Sequence, residues 1–400
     1  MKPVAADKAN FGFNTPFAEQ IDFFRRKLNL PSERWDDIVR SAHDRGFIVA
    51  GAMKADLLKD LNGAVAKTIE QGTGLQAFRK DFTAIVNKNG WTGWTGEGSK
   101  AGFAWRTKVI YQTNLATSYA AGRYKQLTDP DFLALRPYWR YVHNDSTAYP
   151  RPLHLRWGNM RLTLRHDHPF WQTHFPPNGW GCHCRVTPVD APEAGDATDP
   201  PEGWNVRNDA GNLPGIDKGF DYAPGANSET PLRQIVQDKL ITYPQAITKA
   251  LSRDVNRYIN AHDDIVGYVS SVLADKSQAE SLWLGFVDNF EDVTAAAKQD
   301  MKGFMVLLPD GAPRHVERSH GHDGGDQRPV RPEDYKQVAL VLSDADKLQP
   351  GKKSSNGLDT VVAWKEIGGE LFRCVFEVRP GRNNRALALV SMIIKRAGGG

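Results

Sequence analysis

The run Asn178-Gly-Trp-Gly-Cys-His-Cys-Arg-Val186 limits the fold more than any other stretch of this 400-residue chain. It is dense in Gly, Trp, His and Cys, and Pro176 and Pro177 precede it. Gly and Pro interrupt regular helix, so this composition builds a site or a knot held by side chains. Two of the chain's three cysteines, Cys182 and Cys184, stand one residue apart here, with Asp145, Arg151 and His154 upstream. Three cysteines cannot make a disulfide framework, and a CxC disulfide closes a strained small loop. Reduced thiols are expected.

Two readings of the cluster stay open at the level of sequence. Thiolates from Cys182 and Cys184 with His154, completed by Asp145 or His183, suit structural Zn²⁺ by ligand type, although CxC spacing is less usual than CxxC. In the other reading the cysteines are small buried residues and His154 hydrogen-bonds to Asp145.

The rest of the chain punctuates itself into several domains, as its length suggests. Residues 15–90 read as mostly helical, with Leu75, Phe78, Phe82 and Ile85 at helix spacing and Gly72 and Gly74 as breaks. Residues 104–127 predict one long helix, ended by Asp129-Pro130. On it Arg106, Ile110, Thr113, Thr117 and Tyr124 fall on one stripe, and Gln112, Tyr119 and Arg123 on another. Such stripes suit contact with neighbouring proteins or DNA, or a solvated face. Seven of eleven tryptophans and six of eleven histidines lie between Trp91 and Cys184, which points to a core of aromatic anchors there rather than an aliphatic one. The Pro, Gly, Asp and Asn content of 191–228 reads as a linker, and 229–294 as a helical connector. From 295 to 400 the pattern is a small α+β domain with an antiparallel sheet. Its strands are expected at 302–308, 360–367, 371–378 and 386–395, with a Pro332-led helix between. The expected fold class is therefore α+β and multidomain. A net charge of +4 does not announce a nucleic-acid binder, and no apolar run reaches the roughly 20 residues that span a bilayer. A chain kept in the cytoplasm until assembly, with no membrane anchor, is expected.

The motifs Arg106-x3-Ile110-Tyr-Gln-Thr-Asn114, Ala120-Ala-Gly-Arg-Tyr124, Arg136-Pro-Tyr-Trp139, Arg151-x2-His154 and Pro176-Pro-Asn-Gly-Trp-Gly-Cys-His-Cys-Arg185 resemble the phage Mu F-like minor head proteins. Phe23-Phe-Arg-Arg-Lys27 and His43-Asp-Arg-Gly-Phe47 extend the likeness upstream, giving a domain at 1–190. The resemblance implies a minor capsid protein needed in head morphogenesis. Such a protein is made in the bacterial host cytoplasm and lies in the virion, inside the head or near the portal, with capsid and portal proteins as partners.

The tail at 295–400 resembles the phage-borne nuclease domains of the barnase, EndoU, colicin and RelE-like group. That likeness rests on Arg314-His-Val-Glu-Arg-Ser-His-Gly-His322, the following helix and three closing strands. It implies a metal-independent ribonuclease acting on RNA without a cofactor, and an immunity protein or confinement in the capsid to protect the producing cell. The chemistry fits the residue types. Self-cleavage of RNA needs a base, an acid and cations around the phosphate. His315 and His320 are the candidate pair, with Glu317 or a Glu377 of raised pKa as a substitute base. Arg379, Arg382, Arg385 and Lys395 are candidate phosphate clamps, and Ser391 a positioning hydroxyl. His322, with Asp323 and Asp326, reads equally as a solvated loop. The His315 spacing is wrong for the HExxH zinc-protease motif. On the last strand Leu387, Leu389, Ser391, Ile393 and Lys395 are expected to share a face. The alternative is a purely structural head protein whose tail docks without catalysis; convergence of the histidines, arginines and Ser391 in one cleft separates the two.

Overall fold

Apolar residues three and four positions apart make helices of most of the first 130 residues. A computed structural model describes residues 17–38, 40–145, 147, 149–226, 230–262, 264–274, 280–381 and 385–396. The chain divides into two compact units between Leu232 and Arg233.

In the first unit come α1 (Ala18–Arg25), α2 (Ala42–Arg45), α3 (Ala55–Gln71), α4 (Leu75–Asn89), α5 (Lys100–Leu127) and α6 (Pro130–Leu135). The two-residue strands β1 (Leu28–Asn29) and β2 (Gly46–Phe47) pair in parallel. Helix α3 buries Leu57, Leu58, Leu61, Ala64 and Val65 along one face and stops at Gly72, whose φ of +63° suits a residue without Cβ. Ser99 caps α5 by accepting from the Gly102 N–H at 3.0 Å. These helices close on Phe24, Phe47, Leu61, Phe78, Phe82, Trp91 and Trp94.

Beyond α6 the chain forms a three-stranded antiparallel sheet, in the order β4 (Thr163–Arg165), β3 (Tyr138–Val142), β5 (Arg185–Val189). Helices α7 (Pro152–Asn159) and α8 (Phe170–His174) lie between the strands in sequence. The aromatic core expected here is present: Trp139, Tyr141, Trp157, Phe170, Trp171 and Phe175 are buried together. Residues 191–226 carry no helix or strand, yet they are not a linker. Leu213, Ile216, Phe220 and Ala223 are buried in that same aromatic core. Their polar composition concealed four apolar anchors.

The second unit has α9 (Thr230–Thr242), α10 (Gln245–His262), α11 (Ile265–Leu273), β6 (Leu282–Phe286), α12 (Phe290–Ala297) and β7 (Met305–Leu308). Then follow α13 (Gly311–His320), β8 (Gln327–Arg328), a 3₁₀ turn (Pro332–Gln337), α14 (Val338–Ser343) and β9 (Lys347–Pro350). Strands β10 (Thr360–Ile367), β11 (Glu370–Arg379) and β12 (Ala386–Arg396) follow. The sheet runs β6-β7-β12-β11-β10-β9, with β8 on the far end of β12. It is antiparallel except where β7 and β12 run parallel. Because β6 belongs to this sheet, 229–294 is part of the unit rather than a separate connector. On β11 the alternation expected from sequence holds, with Phe372, Cys374, Phe376 and Val378 in the core. On β12 it does not. Val375 faces Ser391 while Phe376 faces Leu389, so Val390 is an extra residue and the parity flips there. Leu387, Leu389, Met392 and Ile394 line the core, and Ser391 and Ile393 point the other way.

Candidate functional site

His154 sits on α7, which starts at Pro152, and Cys182 and Cys184 on the Gly-rich turn before β5. Helix and turn bring the imidazole Nδ1 to 3.7 Å from each Sγ. The three ligand atoms lie within 4.8 Å of one another, and His154 and Cys182 are buried. The other ring nitrogen, Nε2, is 2.7 Å from the Gly215 carbonyl oxygen. A carbonyl only accepts, so Nε2 carries the proton and Nδ1 turns a lone pair toward the thiols. The ring stacks on Trp157 at 5.4 Å. Above it the Tyr141 hydroxyl, held far above its ordinary pKa by burial, donates to Asn178 Oδ1 at 2.9 Å.

The thiols divide the work of holding a charge. The Cys184 thiol titrates below its ordinary range because Cys182 hydrogen-bonds to it, an effect that outweighs burial. Cys182 is raised, by that same hydrogen bond and then by burial. Asp145 stands outside the cluster: its side chain is 91% exposed and meets His143 Nδ1 at 3.2 Å, so it is not the partner of His154. His183 is also exposed. Sequence reasoning missed Gly215 and Tyr141, one acting through a backbone carbonyl and the other through a phenol.

The two stripes of α5 each wall a cavity. Arg106, Ile110, Thr113 and Thr117 face one, together with Lys27 and His43. Burial pushes the Lys27 ammonium down to about 8 and the His43 imidazole down to about 4. Gln112, Tyr119 and Arg123 face the other, together with Cys182 and Cys184. Tyr124 instead packs on the aromatic core, edge-on to Trp139 and Phe175.

In the second unit the candidates separate into groups. Residues 311–320 form α13, which brings the His315 and His320 ring centres to 6.1 Å. His320 titrates below its ordinary range, through burial first and then through His315, His322 and Arg373. Glu317 is exposed on the same helix, and His322 is exposed beyond it. Arg379 ion-pairs with the buried Glu377 at 2.9 Å. Burial raises the Glu377 pKa, but hydrogen bonds from Ser354, Arg379 and Asn356 outweigh it, so this carboxylate is held ionised and is not the raised-pKa base expected. The Arg385 guanidinium lies over the Phe304 ring at 5.8 Å. Ser391 is half-buried opposite Val375. Lys395 ion-pairs with Asp326 at 2.7 Å, and Asp323 is taken by Arg396. Arg382 lies outside the described residues. Along β11 the partners of Lys395 and Ala386 are Leu371 and Arg379, eight positions or about 27 Å apart. The two ends cannot grip one phosphate. Arg373, whose guanidinium lies 5.7 Å over Trp364, is the cation that acts on His320, and sequence reasoning passed it over.

Residues 59–187 match the family described as Phage Mu protein F like protein. The "Putative capsid assembly protein F" of Escherichia phage Mu is 35% identical over 184 residues, which cover 44% of this chain and 41% of that protein. The "Mu-like prophage FluMu F protein" of Haemophilus influenzae is 38% identical over 157 residues, 38% of this chain and 36% of that protein. The chain thus spans about two fifths of the length of these relatives. The family match covers the stretch from α3 to β5, including the His154, Cys182 and Cys184 cluster, and supports the Mu F-like resemblance of the first unit. No solved structure matches. No described helix is long and apolar enough to cross a membrane.

Proposed function

We propose that this chain is a minor capsid protein of a Mu-like phage or prophage, acting in head assembly through its first unit, with capsid and portal proteins as its partners and the virion as its destination. The observation that carries this reading is the 35% identity over 184 residues with a protein named for capsid assembly. The His154, Cys182 and Cys184 cluster lies inside the family match, and with the aromatic core it gives the first unit a scaffold on which an assembly surface can be carried. The test is deletion of its gene from the phage that encodes it, followed by electron microscopy and mass spectrometry of particles. Heads that fail to assemble or to fill, and wild-type particles that contain the chain, are expected. Normal infectious particles from the deletion would refute the reading.

A second activity, RNA cleavage by the second unit, is favoured by one observation. The His315 and His320 rings meet edge-on at 6.1 Å, and burial lowers the His320 pKa, which favours the neutral form a base needs. Arg373 supplies a nearby cation in place of Arg379, Arg385 and Lys395, which lie elsewhere on the sheet. The full chain, incubated with RNA and DNA in excess EDTA, is expected to cut RNA, and His320→Ala to abolish the cut. Because His320 titrates below about 6.5, activity should persist into mildly acidic buffer and fail only as that ring protonates. Intact RNA throughout leaves the second unit as a docking module.

A further inference from the structure

We infer that the first unit binds one zinc ion, held by His154 Nδ1 and the thiolates of Cys182 and Cys184, and that the ion fastens the turn before β5 to α7. The inference stands on geometry within the first unit and does not depend on the capsid reading.

Spacing comes first. A tetrahedral zinc with bonds of about 2.3 Å to sulfur and about 2.0 Å to nitrogen sets those atoms about 3.5 Å apart along an edge. Both Sγ atoms already lie 3.7 Å from Nδ1 and all three atoms lie within 4.8 Å of one another, so little movement sets three vertices in place. Orientation comes second. The Gly215 carbonyl accepts a hydrogen bond from Nε2–H at 2.7 Å, which fixes the tautomer that leaves Nδ1 free to ligate. A backbone carbonyl that accepts from the other ring nitrogen is a usual partner of a metal-bound histidine.

Backbone donors supply a third argument. The backbone N–H groups of Asn178 and Cys184 favour the ionised form of Cys182, and that of Asn144 favours the ionised form of Cys184. Such donors spread the charge of ligating thiolates. Charge balance agrees: two thiolates and one divalent cation sum to zero, so the buried cluster carries no net charge into a poorly hydrated place. Sulfur and imidazole donors select zinc over magnesium or calcium, which take oxygen ligands.

The fourth vertex falls to water. Asp145 is turned outward at 91% exposure and held by His143, and His183 is exposed. Both cysteines line a cavity beside α5 with room for a solvent molecule. Asn178 Nδ2, fully buried and without a partner, is a donor on the adjacent turn. Held this way, the ion joins segments that the chain separates by 28 to 30 residues, and through Gly215 it reaches the apolar anchors of 213–223.

The test uses the full, untagged chain, purified with reductant and dialysed into zinc-free buffer, then assayed for zinc by elemental analysis. One zinc per chain is expected, retained in His183→Ala and lost in the Cys182→Ser/Cys184→Ser double variant. Removing the ion with a strong chelator should lower the midpoint of thermal unfolding, and adding zinc should restore it. Exchange for cobalt(II) should give a thiolate-to-cobalt charge-transfer band and the strong visible bands of tetrahedral cobalt. Where the double variant does not fold, the cobalt spectrum of the unmodified chain decides. Zinc well below one equivalent after supplementation, a cobalt spectrum without thiolate bands, or zinc undiminished in a folded double variant would overturn the inference.

Discussion

The Asp196 carboxylate has a side-chain exposure of 0% and receives Arg140 at 2.6 Å and Arg161 at 2.8 Å. Thr163 Oγ1 and the Glu193 N–H also reach it, at 3.0 and 2.9 Å. It therefore joins β3 and β4 to the segment beyond β5. Desolvation works to raise its pKa, but these hydrogen bonds outweigh it and the folded value is lowered. A carboxyl depressed on folding contributes stability that is present above its unfolded pKa and lost as pH falls through the folded one. The contribution is thus complete at neutral pH and erodes below about 4. Asp196→Ala leaves the half-buried Arg140 with only Glu193 and Thr163 Oγ1 as partners and should cost about 2 kcal/mol at pH 7 in urea titration, with a smaller difference from wild type in acid. An equal difference at both ends of the pH range would show that the carboxylate's charge is not what matters. At this scale sequence reading was partial. The residue types of the Cys/His cluster were legible because thiols and imidazole are chemically distinctive. Asp196 was not, since its partners lie in other strands and an Asp in a Pro- and Gly-rich stretch looks like any turn residue.

Helix α5 shows what periodicity can and cannot reveal about an element. Its two polar stripes were visible from 100° steps alone, and each proves to line its own cavity. The angle says which residues share a side; only packing says what stands there. Gly122, in the motif Ala120-Ala-Gly-Arg-Tyr124, has such a tertiary cause. A Cβ there would lie 2.8 Å from the Phe17 ring and 2.9 Å from the Gln20 backbone nitrogen, so the missing side chain lets α1 lie directly on α5. Gln20 Nε2 then donates to Ser118 Oγ at 2.9 Å and to the Leu115 carbonyl at 3.2 Å. Gly122→Leu must push α1 away and should cost about 2 kcal/mol despite the better helix propensity of leucine. Gly63→Leu, with nothing near its added Cβ, is the control on α3 and should be neutral or stabilising. Loss of stability in both, or in neither, would reject the packing explanation. Strand β12 teaches the converse. Alternation placed Ser391 and Leu389 on one face, and the single extra residue Val390 reversed that, because a bulge leaves no mark in hydrophobic period.

Across the whole chain, composition misplaced the division of the molecule because it weighs polar residues by number and apolar ones too little. Residues 191–226 look like a tether, yet four buried anchors tie them to the aromatic core of the first unit. Residues 229–294 look like helical spacer, yet β6 pairs with β7, and Ile265, Val269, Leu284 and Val287 join the core of the second. The closing strands were legible almost to the residue, since β-branched and aromatic runs between Gly368-Gly369 and Pro380-Gly381 leave few other choices. Each unit has its own buried clusters, so each should fold by itself when the cut respects these anchors. Fragments 1–226 and 230–400 are expected to show cooperative thermal unfolding and dispersed amide spectra. A fragment ending at 190 should not, because it abandons Leu213, Ile216, Phe220 and Ala223 and leaves His154 without the Gly215 carbonyl. Likewise a fragment starting at 295 gives up β6 and leaves the outer edge of β7 bare. If 295–400 folds as well as 230–400, the helices and strand before residue 295 are an appendage to that core rather than part of it.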